Sequence, residues 1–276
     1  MTIGDEDLVH WQSWVGRTET REERLDIGAM RRLAAALGES LAVEAEQPSL
    51  AHWAFFLPVA PADEIGTDGH PRRGGLLPPV ALPRRMFAGS EMEFGQPLLL
   101  DEVARRVSTI RGVSVKPGKS GDLVLVEIEH RIEQRDECRV RERQTLVFRD
   151  TGVPTLPIVP LAKEEALGEE GEVWLPGPVD LFRFSAATFN SHRIHYDRTY
   201  AIAEEGYPDL VVHGPFTAAR LFRRAARTGR PSRFAFRAVA PLFVSQPVYI
   251  VGDAADGDFA AIRCDGVTAM RATATI

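Results

Sequence analysis

From Val124 to Ile132 the chain alternates cleanly, with Val124, Val126, Ile128 and His130 falling on one side. A period of two is the mark of a strand with one buried face. Two further runs keep it company: Val103 to Ile110 alternates loosely, and Gln144 to Phe148 follows a charged start. Gly118-Lys119-Ser120-Gly121 reads as the turn between two of these strands. Residues 90 to 150 are therefore expected to form an antiparallel meander, and any fold for this chain must give that sheet a core to cover.

The cover comes from the flanks. Residues 20 to 38 carry Met30, Leu33, Ala34 and Leu37 at helical spacing and close on Gly38. An aromatic piece, His52 to Pro58, leads into a Pro- and Gly-rich stretch from 58 to 85 that reads as one long loop. Ordered loops of that length are usually functional, as lids or ligand contacts. Residues 150 to 179, with Glu169-Glu170-Gly171-Glu172, read as a linker. Beyond it the order repeats: a helix near Asp197, a longer one near Gly214, then strands at about 233–240, 247–252, 258–263 and 267–275. The halves share negligible sequence, yet the repeated order predicts two similar units. The expected division is 1–150, a linker at 151–179, and 180–276.

With 276 residues, 44% of them hydrophobic, the chain can bury one large core or two ordinary ones. Its longest apolar runs, such as Leu98–Leu100 and Leu210–Val212, cannot cross a bilayer. The acidic start, MTIGDEDLVHWQSW, has no basic and apolar leader pattern. Cys138 and Cys264 lack the spacing of a disulfide framework or thiolate metal site, which points to the cytoplasm. A net charge of −6 argues against nucleic acid as a partner. Arginine is nevertheless concentrated: Arg220, Arg223, Arg224, Arg227, Arg230, Arg233 and Arg237 run without an intervening acid, and Arg72-Arg73 and Arg84-Arg85 form two smaller clusters. Guanidinium pairs bidentately with phosphate, so these are candidate contacts to a multiply phosphorylated ligand, Arg72, Arg73, Arg84, Arg85, Arg220 and Arg223 foremost.

The chemistry concentrates between Phe184 and Asp197, where Asn190, His192, His195 and Asp197 lie within eight residues. His195 is the candidate acid/base, because imidazole exchanges a proton near neutral pH. Asn190 precedes it on a segment too irregular for a plain helix, so the two side chains can converge; an amide can hold a water or a thioester oxygen. Gly214-Pro215 starts a helix whose free N–H groups and positive dipole end suit a developing oxyanion. A metal held by His192, His195, Asp197 and His213 is disfavoured, since the helical zinc spacing with its intervening Glu is missing. No GxSxG elbow or phosphate-binding glycine loop occurs.

These residues carry a resemblance. Phe182 to Asp197 matches F-R-[FY]-S-A-x-T-F-N-x-H-R-I-H-Y-D, and Glu205 to Pro215 matches E-G-Y-P-x-L-V-V-H-G-P. Both are patterns of the MaoC-like hydratases and dehydratases of acyl thioesters, in the branch with hydroxyacyl-thioester dehydratase type 2 and mesaconyl-CoA (3-methylfumaryl-CoA) hydratase. Trp14-Val15-Gly16-Arg17, Gly69 to Gly75 and Leu82 to Met86 resemble the latter, so the likeness covers most of the chain. Ser191 and Ala187 depart from the branch, where a Gly and a larger aliphatic residue are commoner.

The resemblance implies an α+β double hotdog: two units, each a curved antiparallel sheet wrapped around a central helix. Its second unit would be catalytic, and its first would build substrate-binding walls. It implies Asn190, His195 and Gly214 as catalytic residues, no cofactor and no metal. The substrate would be an acyl-CoA or acyl-carrier-protein thioester, with no nucleic acid or membrane partner; a homodimer is compatible. The leading reaction is reversible hydration of an enoyl thioester such as mesaconyl-CoA. Dehydration of a carrier-bound 3-hydroxyacyl chain, thioester hydrolysis, and a silent hotdog subunit are the alternatives, since fold does not fix function.

Overall fold

The computed structural model describes residues 3–118, 121–151, 158, 171–253 and 255–276. Ten strands form one continuous sheet: β1 (Thr18–Arg24), β2 (Arg84–Phe94), β3 (Val103–Gly118), β4 (Gly121–Gln134), β5 (Glu137–Arg149), β6 (Glu172–Trp174), β7 (Arg233–Ala238), β8 (Val248–Asp253), β9 (Asp258–Arg263) and β10 (Thr268–Thr275). Their order is β1-β3-β4-β5-β2-β7-β10-β9-β8-β6. Within each half the strands follow the same rule, first-third-fourth-fifth-second, and the two second strands meet. The double hotdog is thus two copies of one topology joined along β2 and β7. At that seam Gly89 faces Arg237, and a Cβ on Gly89 would lie 2.4 Å from the Phe236 carbonyl oxygen. Only a residue without a side chain lets the strands close there.

The alternation that opened the sequence is the buried face of β4: Val124, Val126, Ile128 and Ile132 are in the core. The helices are α1 (Asp5–Gln12), α2 (Ile27–Leu37), α3 (Pro178–Ala187), α4 (Arg198–Ala203) and α5 (Gly214–Ala225). The expected helix over 20–38 is shorter. Asp26 caps it, its side chain accepting from the Ala29 N–H at 2.7 Å, and Gly38 ends it in the left-handed region. The charged run before Asp26 is instead edge strand β1, paired with β3, and charge is how exposed sheet edges are kept from pairing further.

α2 and α5 bury Met30, Leu33 and Leu37, and Phe216, Leu221 and Phe222, in one hydrophobic cluster that spans both halves. Side chains of this size contribute about 1.5–3 kcal/mol each when fully buried. The second unit begins earlier than residue 180: Glu172–Trp174 pair with β8, and α3 starts at Pro178. Within the expected linker, residues 152–157 and 159–170 lie outside the described residues, as does the centre of the turn at 118–121. Among the described residues no helix is long and apolar enough to cross a membrane.

The long loop between 58 and 83 is tied down. Val80 and Leu82 enter a second cluster with Trp11, Ile110 and Phe148. The Arg73 guanidinium donates to the carbonyls of Val80, Leu82 and Pro83 and lies over the Phe148 ring. This anchoring lets the loop's tip reach the other half.

Candidate active site

α3 ends in a Schellman motif. The Asn190 N–H donates to the Ser185 carbonyl at 2.8 Å, and Phe189 sits between them at φ 48. Glycine is usual at that position, so a phenylalanine there stores local strain. The result turns the chain sharply and delivers Asn190. Its Oδ1 accepts from the His192 N–H at 3.0 Å, which leaves the carboxamide N–H groups as donors.

Three residues on, a 3-10 turn (Arg193–His195) sets His195 against the segment before α5. The Val211 N–H donates to the Ile194 carbonyl, and His195 Nδ1–H donates to the Val211 carbonyl at 2.7 Å. A carbonyl can only accept, so neutral His195 carries its proton on Nδ1 and a lone pair on Nε2. Its ring stacks on His213 at 3.6 Å between centroids. His213 shares a hydrogen bond of 2.8 Å with Ser185 and is the residue immediately before α5. His213, which entered the sequence analysis only in the disfavoured metal set, is the plate on which His195 rests. Gly214 opens α5 beside it, with Pro215 next, and the Gly214 N–H is one of the donors a helix start leaves unmatched.

The first half reaches into this region. The tip of its long loop docks on residues 191–193: the Arg193 N–H donates to the Asp68 carbonyl at 2.9 Å, and the Ser191 hydroxyl donates to the Gly69 carbonyl. Ser191, a departure from the branch pattern, thus gains a partner in the loop. His70 Nδ1 bonds Asp68 at 3.1 Å, and the His70 ring lies 4.1 Å from that of His192, which lies 5.4 Å from that of His195. Reasoning from sequence missed Asp68 and His70; the signal was the run Gly69-His70-Pro71-Arg72-Arg73 inside a suspiciously long loop.

Asp68, His70 and His192 each offer one ligand atom within 4.8 Å of the others. They differ from the metal set weighed from sequence, in which Asp197 was a member. Asp197 is bound by Arg193 at 2.7 Å and caps α4. The positive charge of Arg85, felt at His70, opposes a cation in the Asp68 group.

The six candidate arginines do not converge. Arg84 is buried and paired with Glu205 at 3.1 Å, donating also to the Glu205 carbonyl; Glu205 in turn faces His192 at 4.0 Å. With Arg73 it ties chain segments together, and neither guanidinium is open to a phosphate. Arg220 lies over the Trp174 and Phe216 rings. Arg223 reaches the Gly38 carbonyl at 3.5 Å and lines a cleft of about 1060 Å³ between the segment that follows α2 and the C-terminal end of α5. Arg223 is nine residues along α5 from Gly214, or about 13 Å at 1.5 Å per residue. Arg72 is exposed. Arg85 alone among the six stands by the histidines.

Burial lowers the pKa of His195 well below the usual imidazole value, and His213 and His192 add to it. Burial likewise takes His213 to about 3, and burial with the Arg85 charge takes His70 to about 3. The folded protein holds these rings neutral, while the unfolded chain protonates them below about pH 6.5. Acid therefore favours unfolding: the stability is whole above pH 6.5 and is lost as pH falls below it, at about 1.4 kcal/mol per pH unit for each ring. Urea midpoints measured from pH 7 to 5 are expected to fall steeply; a level midpoint would contradict the buried neutral cluster.

Known proteins resemble this chain in sequence and in fold. Residues 50–244 match the family model for hydroxyacyl-thioester dehydratase type 2. The chain is 42% identical over 272 residues to mesaconyl-C(4)-CoA hydratase of Chloroflexus aurantiacus, covering 95% of this chain and 96% of that one. Among solved structures, HtdX of Mycobacterium tuberculosis superposes with a TM-score of 0.69 at 18% identity, covering 94% of this chain and 99% of the other. A second M. tuberculosis protein, described as having a double hotdog fold, gives 0.51 at 12% identity over 94% and 96%.

Proposed function

Because the chain belongs to the hydroxyacyl-thioester dehydratase type 2 family, we propose that it reversibly hydrates an enoyl thioester, mesaconyl-CoA, to citramalyl-CoA. The observation that carries this reading is His195, pinned through Nδ1 to Val211 with Nε2 left as an acceptor, stacked beside the start of α5. Water is held by the Asn190 carboxamide. His195 Nε2 takes a proton from it as the oxygen bonds to C3 of the enoyl group. The C2=C3 electron pair moves toward C1, and negative charge grows on the thioester oxygen, where the Gly214 N–H donates. The proton on His195 then passes to C2, so water is added across the double bond and no cofactor is consumed. A depressed pKa suits a base that must be neutral at working pH.

The direct test is to follow the enoyl-thioester absorbance together with free thiol. Loss of absorbance without thiol release is the expected result; thiol release would make the protein a thioesterase, and neither change would end the hydratase reading. Repeating the assay with a carrier-protein thioester separates the carrier from CoA. Arg72 and Arg223 remain the candidates for CoA phosphates. Two cysteines outside any disulfide are in keeping with a cytoplasmic enzyme.

Asn190 gives a finer test. Asn190→Ala loses both the tie to the His192 N–H and the group that holds water, and is expected to lower kcat about 10²-fold by misplacing the reactants. Asn190→Asp keeps the tie and retains more activity than Asn190→Ala. Equal loss in both would reassign Asn190 as an N–H donor toward substrate, and full activity in both would remove it from the site.

A further inference from the structure

The Arg85 guanidinium makes no hydrogen bond or ion pair with any of the described residues, and burial lowers its pKa to about 10. It lies on β2 opposite Phe148 in the register, and it is near enough to His70, Asp68 and Arg73 for their charges to interact. Asp68 offsets it only in part. That carboxylate is held by His70, through Nδ1 at 3.1 Å and through the backbone N–H at 2.9 Å, and its one negative charge is shared between Arg85 and Arg73. Arg73 is spent on three carbonyls. Two guanidiniums beside one carboxylate leave an excess of positive charge, which a further anion at Arg85 would balance.

Its neighbours say where that anion belongs. From Arg85 the line runs to His70, from His70 to His192 at 4.1 Å, and from His192 to His195 at 5.4 Å. On the hydratase reading, Arg85 therefore stands on the side of the reacting carbons, not by the far end of a pantetheine arm. In mesaconyl thioesterified at C4, the free carboxylate sits on the same carbon that receives water. Building on the hydratase reading, we propose that Arg85, with His70 beside it, binds the free carboxylate of a dicarboxylic acyl thioester and so selects such substrates over monocarboxylic ones. The planar fork can hold both carboxylate oxygens at once. Positive charge here also offsets the repulsion between that carboxylate and the nucleophilic oxygen arriving at the same carbon.

The test compares mesaconyl-CoA with crotonyl-CoA, which carries hydrogen where mesaconyl carries the methyl group and methyl where it carries the carboxylate. Arg85→Gln is expected to lower the ratio of kcat/KM for the two, mesaconyl over crotonyl, by about 10²-fold or more, the loss typical of removing one partner of a buried charge pair. Arg85→Lys, which keeps charge but not the fork, should fall between. A binding measurement makes the result independent of turnover. Wild-type protein should bind succinyl-CoA more tightly than butyryl-CoA, and Arg85→Gln should abolish that preference with the thermal midpoint within a few degrees of wild type. An unchanged ratio and an unchanged preference overturn the assignment, as does a loss equal for both thioesters. If neither enoyl thioester is hydrated but the succinyl preference depends on Arg85, the hydratase reading falls and the assignment of Arg85 to a carboxylate stands.

Discussion

Replacing His195 with alanine is expected to lower kcat by about 10²–10⁴-fold, the usual contribution of a positioned acid/base. Alanine also removes the donor to Val211 and the ring stacked on His213, so an unsatisfied buried carbonyl could lower stability by about 1–3 kcal/mol. His195→Asn separates the two effects. Its amide N–H can take the place of Nδ1–H toward Val211, while nothing replaces the basic Nε2. It should be as inactive as the alanine variant but closer to wild type in its urea midpoint. His192→Ala should cost far less activity. The pH profile supplies a further check: with His195 held neutral by burial, the acid limb of kcat/KM should lie below pH 6.5. An acid limb at or above the ordinary imidazole value, or an active His195→Asn, would remove His195 from the role of base.

Gly69→Ala should be nearly as damaging, although Gly69 bears no functional group. Its φ is 89, and a Cβ there would lie 1.9 Å from the Ser191 carbonyl oxygen and 2.8 Å from the Ser191 carbonyl carbon. Both are backbone atoms of the segment that carries His192, so neither can swing aside. The loop tip must lift, breaking the bonds to Arg193 and Ser191 and withdrawing His70. A displacement of this kind is expected to lower kcat/KM about 10²-fold, with a stability loss of about 1–3 kcal/mol from the strained backbone. Gly75→Ala is the control, because nothing lies within 4 Å of its Cβ, and it should stay within about 0.5 kcal/mol of wild type. Equal behaviour of the two variants would show that the loop does not dock as described.

Local pattern makes most of the strands legible, because each has one face in the core and the alternation records it. It also placed the helix at Gly214, where Gly-Pro marks the start, and the Phe182–Asp197 segment, where chemistry-bearing residues crowd together. Three things were not legible. β1 was read into a helix because its seven residues are almost all charged or polar, and its identity comes from pairing with β3. The start of the second unit is hidden too: β6 is three residues long inside the expected linker, and the first two residues of α3 fall at its end, where Gly177-Pro178 reads equally as a loop or a helix start. Asp68 and His70 were passed over because nothing local relates them to His192, more than a hundred residues away. Their meeting is a product of the docked loop. Likewise, charge density alone grouped the arginines, whereas their partners scatter them: Arg73 and Arg84 to structural ties, Arg220 to aromatic rings.

Two copies of one strand order, joined back to back along β2 and β7, would give a symmetric molecule two equivalent sites. In this chain the second unit holds His195, the proposed base, and the first sends a loop across to meet it. On that reading two kinds of change are separate. Edits between Glu64 and Arg85 would alter what stands beside the acyl group, while His195, its tether to Val211 and the start of α5 belong to the other unit. A duplicated fold that has broken its own symmetry in this way would trade one acyl group for another by rewriting one segment, with the proposed proton-transfer residues unchanged.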